Sequence, residues 1–125
     1  MNEQIWAVRG AITISEDTSG QITAATKELL NEVLKVNLIE PEKIVSIIFT
    51  VTSDISSEFP AVAARQLGLD STPLICALEI PKPGSLPLCI RLLMHFHTTL
   101  SKSEIKAVYL RDAVKLRPDL INNPG

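Results

Sequence analysis

The chain has 125 residues, with twelve Lys plus Arg against fourteen Asp plus Glu and a formal net charge of −2. That is the size of one ordinary domain with its own core, and a balanced charge without a basic stripe argues against a nucleic-acid partner. Apolar residues make up 46% of the chain and aromatics only 4%; the apolar stretches are strand-length and interrupted, short of the roughly 20 residues that cross a membrane.

The N-terminus MNEQIWAVRG has no basic segment ahead of an apolar one, so it does not read as a signal peptide, and the expected compartment is the cytoplasm. Ile5–Ser15 alternates, with Trp6, Val8, Ile12 and Ile14 on one face and Ala7, Arg9, Ala11 and Thr13 on the other. A period of two predicts a strand. Thr18 with Gln21 three residues on fits a capping box, and Asp17 suits a helix start. From there to about Val36, Ile22, Leu29, Leu30, Val33 and Leu34 recur at helical spacing.

Lys43–Asp54 is a second strand, with Val45, Ile47, Phe49 and Val51 on one face and Ser46, Ile48, Thr50 and Thr52 on the other. The segment SSEFPAVAARQLG predicts a helix with Pro60 in its first turn and Gly68 just past its end. TPLICALEIP is a short third strand bounded by prolines. LPLCIRLLMHFHTTL is the longest strand, its even positions from Leu86 to Phe96 forming one apolar face. Ser101 and Glu104 offer another capping box, AVYL looks extended, and RDAVKLRPDL reads as a helical turn followed by a loose tail over about 116–125. The whole of 1–125 reads as a single domain.

Three charges stand out because they interrupt apolar strands. Arg91 points away from the apolar face of its strand, beside Cys89, Leu93 and His95. Arg9 and Glu79 lie on the lighter faces of theirs. Helices cover one face of such a sheet, and the second must meet water or another subunit. Ile48, Ile75 and Leu93 argue against water, as does the aliphatic surplus. Two arginines and a glutamate there make either an intersubunit ion-pair network or a pocket for an anion that carries a hydrogen-bond donor. The alternation leaves both readings open.

The blocks VRGAITI, FPAVAARQLG, PLICALEIP, CIRLLM and VYL…AVKLRPDL, in this order and spacing, resemble the monofunctional chorismate mutases of the Bacillus type. The resemblance covers most of the chain. It implies an α+β fold, a mixed β-sheet with helices packed on one face in the order βαβαββ, assembled as a homotrimeric pseudo-α/β-barrel. It also implies active sites in clefts between subunits, the Claisen rearrangement of chorismate to prephenate in aromatic amino acid biosynthesis, and neither cofactor nor metal. Carried onto this chain, Arg91 resembles the arginine at the ether oxygen of the breaking bond, and Arg9 and Tyr109 the groups that hold carboxylate. Glu79 looks like the acceptor for the ring hydroxyl, with Cys76 close by. Phe59 and Ala61 resemble an apolar wall, with Arg65 near the pocket mouth. Leu116 and Arg117 match a C-terminal segment that closes over ligand. Two positions depart from the family pattern: Val62 stands where a lysine commonly follows FPA, and Ile75 where a threonine precedes the pocket cysteine. Both departures concern peripheral contacts.

Other features take plainer readings. His95 and His97 share a strand face, but a zinc site needs more ligands and there is no third histidine. Cys76 and Cys89, without a CxxC spacing, read as reduced packing thiols. Trp6 reads as core. Small trimeric imine deaminases share a similar fold but lack the pairing of VRGA with CIR and LRPDL. A non-catalytic ligand-binding trimer is the alternative, against which the intact set Arg9, Glu79, Arg91 and Tyr109 argues.

Overall fold

The computed structural model describes residues 2–116. Five strands, β1 (Gln4–Thr13), β2 (Ile44–Val51), β3 (Leu74–Leu78), β4 (Cys89–Thr98) and β5 (Val108–Leu110), form one sheet in the order β3-β2-β4-β1-β5. The central β4 runs antiparallel to both β1 and β2, while β3 runs parallel to β2 and β5 parallel to β1. Two helices, α1 (Ser19–Val36) and α2 (Pro60–Gln66), connect the early strands.

Both helices pack on the same face of the sheet. Val8 and Ile12 of β1, Ile47 and Phe49 of β2, and Ile90, Leu92, Met94 and Phe96 of β4 bury against Ile22, Leu29, Leu30 and Val33 of α1 and against Ala64 of α2. This is the period of two meeting the period of 3.6. α1 lies close enough that a Cβ on Gly10 would sit 3.1 Å from Leu29 Cδ1 and 3.3 Å from Val33 Cγ2. A side chain there would require Leu29 and Val33 to give way by a few tenths of an ångström, so glycine beside Arg9 suits the close packing of α1.

The helix ends follow their chemistry. Thr18 Oγ1 accepts the Gln21 N–H at 3.2 Å, which is half of the expected capping box. The other half is diverted: Gln21 Oε1 accepts from the N–H groups of Ser15 and Glu16 at 3.0 and 3.1 Å and stiffens the turn after β1. α2 opens on Pro60 and ends at Gly68, which has φ +90°. The Gly68 and Leu69 N–H groups return to Arg65 and Ala64 carbonyls, a Schellman closure that glycine permits. Ser101 and Glu104 cap a 3₁₀ turn over Lys102–Glu104, and the extended AVYL segment becomes the edge strand β5.

The strands are shorter than the sequence pattern suggests. β4 starts at Cys89 rather than Leu86, because Leu88 takes φ +50° and breaks the pleat. Leu86 therefore leaves the apolar face and packs with Ala11, Cys89 and Ala113 on the opposite side. β3 stops at Leu78, although the Glu79 N–H still bonds the Val51 carbonyl at 2.9 Å and continues the ladder. Trp6 is half-buried rather than core.

Candidate active site

The face away from the helices is where the charges gather. Arg91 on β4 stands opposite Ala11 of β1 and Thr50 of β2. Arg9 stands opposite Leu93, and Tyr109 opposite Ala11. Directly opposed residues share a face. Arg9, Thr50, Glu79, Arg91 and Tyr109 accordingly line one cavity of about 270 Å³.

Glu79 is held by two partners. Its Oε2 accepts the Thr50 hydroxyl and lies 3.6 Å from Arg91 Nε. The Glu79 and Arg91 side chains are 27% and 37% exposed, so the pair is only partly screened by water. Arg91 Nε is itself buried and has no hydrogen-bond partner among the described residues. A buried guanidinium donor without an acceptor is unfavourable by roughly 1–3 kcal/mol or more. The cavity thus presents an unspent donor, a second cation in Arg9, a phenol, and a carboxylate positioned as acceptor. That set suits a ligand with carboxylates, an ether or carbonyl oxygen, and a hydroxyl.

Cys89 is fully buried beside Arg91. Burial pushes its thiol pKa up, and the arginine only partly offsets that, so it stays a neutral packing group. Tyr109 leans on the small cluster of Ala11, Cys89 and Ala113, and Leu116 packs on the same cluster. The turn that delivers them pivots on Arg111, whose φ is +55°. Its guanidinium donates to the Thr13 carbonyl at 3.0 Å and to Glu28 Oε1 at 2.8 Å. The Asp112 N–H adds a bond to Thr13 Oγ1 at 3.1 Å. Arg117 lies outside the described residues.

The remaining sequence-derived candidates sit elsewhere. Cys76 is in register with Phe49 and packs toward the helix side, on the opposite face of β3 from Ala77. With Phe59 it lines a separate cavity of about 380 Å³ between β3 and the start of α2. Ala61 is buried in α2, and Arg65 is exposed on the same helix. Within one chain, therefore, Cys76 is not brought to Glu79, and the apolar wall is not brought to Arg91. The loop carrying Phe59 is tied to the start of α1. Asp17 Oδ1 accepts the Ser56 and Ser57 N–H groups, both at 3.1 Å.

Thr50 and Arg111 were not singled out by the sequence pattern. Thr50 was legible only as a polar residue on the light face, and nothing local signals that it faces Glu79 from the neighbouring strand. His95 shares a bond of 3.2 Å with Ser46 on the same open face.

A sequence profile of the chorismate mutase type I family matches residues 5–120. The chorismate mutase AroH of Thermus thermophilus is 51% identical over 114 residues, covering 90% of this chain and 93% of that protein. The chorismate mutase AroH of Bacillus subtilis is 38% identical over 117 residues, covering 93% and 92%. A solved chorismate mutase structure from Clostridium thermocellum superposes with a TM-score of 0.85 at 51% identity, covering 86% of this chain and 96% of that one.

Proposed function

The chain belongs to the chorismate mutase type I family, and we propose from that premise that the Arg9, Glu79, Arg91 and Tyr109 cavity is where it converts chorismate to prephenate. The chain is an isomerase acting as a chorismate mutase in aromatic amino acid biosynthesis. The observation that carries the site assignment is the buried Arg91 Nε, without a hydrogen-bond acceptor among the described residues and 3.6 Å from Glu79.

The reaction breaks one C–O bond while a C–C bond forms within the same molecule. It needs no nucleophile and no proton transfer. Orientation of the flexible enolpyruvyl arm contributes several kcal/mol. A preorganised donor at a developing oxyanion contributes about 3–4 kcal/mol. An acceleration of about 10⁶ needs roughly 8 kcal/mol, so the two effects together are of the right size. Arg91 is the donor at the ether oxygen, and its charge is permanent because a guanidinium does not deprotonate. Arg9 and Tyr109 hold carboxylate, and Glu79, oriented by Thr50, accepts the ring hydroxyl.

We also propose a homotrimer with sites between subunits. Supporting this, Phe59, Ile75, Leu78 and Ile80, on and beside β3 and at the start of α2, are 66%, 61%, 68% and 83% exposed, apolar surface at the β3 border of the sheet. A neighbouring copy packed along β3 sets its Phe59, Ala61, Arg65 and Cys76 against this chain's Arg91 cavity and covers that border. Sedimentation equilibrium is expected to return three times the chain mass, and a monomer at working concentration contradicts the assembly. Leu116, packed on the Ala11, Cys89 and Ala113 cluster, completes the proposed pocket from the C-terminal segment. The kinship to biosynthetic enzymes favours the cytoplasm as compartment. The five strands form one sheet and both helices pack on it around one core, which supports a single domain.

The test is an ultraviolet assay of chorismate loss with prephenate identified as product, run on wild type and Arg91→Ala together. Turnover in the first and its loss in the second is the expected result. Equal turnover in both removes Arg91 from the mechanism. Absence of turnover in folded wild type leaves a ligand-binding protein.

A further inference from the structure

We propose that Asp54 is a positioning residue for Arg91, acting through the left-handed turn at Leu88; the inference rests on the role given to Arg91 above. Leu88 has φ +50°, a conformation that a leucine adopts only when its surroundings impose it. Among those surroundings is one carboxylate that reaches two backbone amides. Asp54 Oδ2 accepts the Leu88 N–H at 2.9 Å. Asp54 Oδ1 accepts the Thr52 hydroxyl at 2.5 Å, and Thr52 Oγ1 in turn accepts the Cys89 N–H at 3.0 Å. Two consecutive amides thus end on the same carboxylate, one directly and one through a hydroxyl that uses its single proton toward Asp54. From the other side, the Leu88 carbonyl accepts the Ile14 N–H at 2.9 Å.

The place of this clamp gives it a function. Leu88 is the residue immediately before β4, and Arg91 is the third residue of that strand. With Leu88 turned, Cys89 and Arg91 enter on the open face, and Ile90 and Leu92 on the core face. Without the turn, the Leu88 and Cys89 amides would lose these acceptors, and the start of the strand would rest on the Thr13–Cys89 pairing and on the Thr52 N–H that donates to the Cys89 carbonyl at 3.1 Å. Even a displacement of about 1 Å at a reacting group can cost about 100-fold in rate. Asp54 lines a different cavity, of about 160 Å³, on the far side of Glu79, and does not line the one that holds Arg91.

The experiment measures kcat and KM for chorismate in wild type, Asp54→Asn, Asp54→Asn with Leu88→Gly, Arg91→Ala, and Arg91→Ala with Asp54→Asn. Asp54→Asn is expected to lower kcat by about 10-fold to 100-fold with KM changed far less. Glycine takes φ +50° without help, so adding Leu88→Gly is expected to restore most of kcat, whatever it costs in Tm. In the Arg91→Ala background, Asp54→Asn is expected to add nothing, because its effect passes through the missing side chain. Wild-type kcat in Asp54→Asn, no rescue by Leu88→Gly, or full additivity with Arg91→Ala each overturns the proposal. If Asp54→Asn does not fold, Thr52→Val reads the same relay: a selective loss of kcat supports it and wild-type kcat overturns it. Should Arg91→Ala itself keep full turnover, the role of Arg91 fails first, and the two failures remain distinct.

Discussion

The two faces of the sheet are built from the same strands and have opposite tasks. On the helix side, Phe49, Ile90, Met94 and Phe96 are completely buried, and α1 approaches to the limit that Gly10 allows. On the open side, alternate residues of the same strands are Arg9, Thr50, Arg91 and His95, and none of them is fully buried. The first face supplies stability, since apolar burial contributes roughly 25 cal/mol per Å² removed from water. The second retains a guanidinium donor, Arg91 Nε, that is unmet among the described residues, which is what a ligand site requires. A strand delivers both because successive side chains point in opposite directions. The rigid packing of one face is what lets the other hold a guanidinium in place.

That division can be broken from either side. Phe49→Ala removes a fully buried ring from the helix face and is expected to cost about 3–5 kcal/mol of stability in denaturant titration. Its kcat per folded molecule should stay close to wild type; a large kcat loss would mean that the faces are not separable. Arg91→Ala is the converse, with kcat expected to fall by about 10²–10³-fold, or about 3–4 kcal/mol, and little change in Tm. A collapse of Tm in that variant would turn the Arg91–Glu79 pair into a structural element. A chain ending at Lys115 loses the segment from Leu116 onward. It is expected to raise KM by about tenfold, equivalent to about 1.4 kcal/mol, more than it lowers stability. Unchanged kcat/KM in that folded variant would detach the C-terminal segment from the site.

The smallest effect is a pH dependence at the border of the two layers. Desolvation opposes it, but the bonds from Ser56 and Ser57 hold the Asp17 carboxyl below its ordinary value. A carboxyl depressed in the folded state stabilises the fold above its unfolded pKa, about 3.9, and that contribution is lost as pH falls through the folded value. Thermal melts of wild type between neutral pH and pH 3 should therefore lose a contribution below about pH 4 that Asp17→Asn lacks. Parallel curves would show that the clasp between α1 and the Phe59 loop carries no linkage.

Much of this was legible beforehand, for reasons that particular residues make plain. Gly68 and Pro60 marked the ends of α2 because their backbone preferences are local. Arg9, Glu79 and Arg91 stood out because a charge in an apolar alternation needs an explanation. The start of β4 was misjudged because Leu86 and Leu88 continue a perfect alternation, and what interrupts it is the left-handed turn at Leu88, whose N–H bonds Asp54 from 34 residues away in the chain. Arg111 was invisible for the same reason, since its partners Thr13 and Glu28 belong to the first quarter of the chain.

The sequence by itself determined the main elements, the faces along most of each strand, and which side chains interrupt the apolar pattern; the bulge at the start of β2, which exposes Val45 and buries Ile44, was not among them. Those follow from periods of 2.0 and 3.6 that act over a few residues. The tertiary structure alone decided that β4 lies between β1 and β2, that Thr50 meets Glu79, and that β5 carries Tyr109 to the side of Ala11. It also parted Cys76 and Phe59 from the Arg91 cavity within the chain. Strand pairing is a contact between distant segments, set by the total burial and hydrogen bonding of the whole sheet, and no local period encodes it.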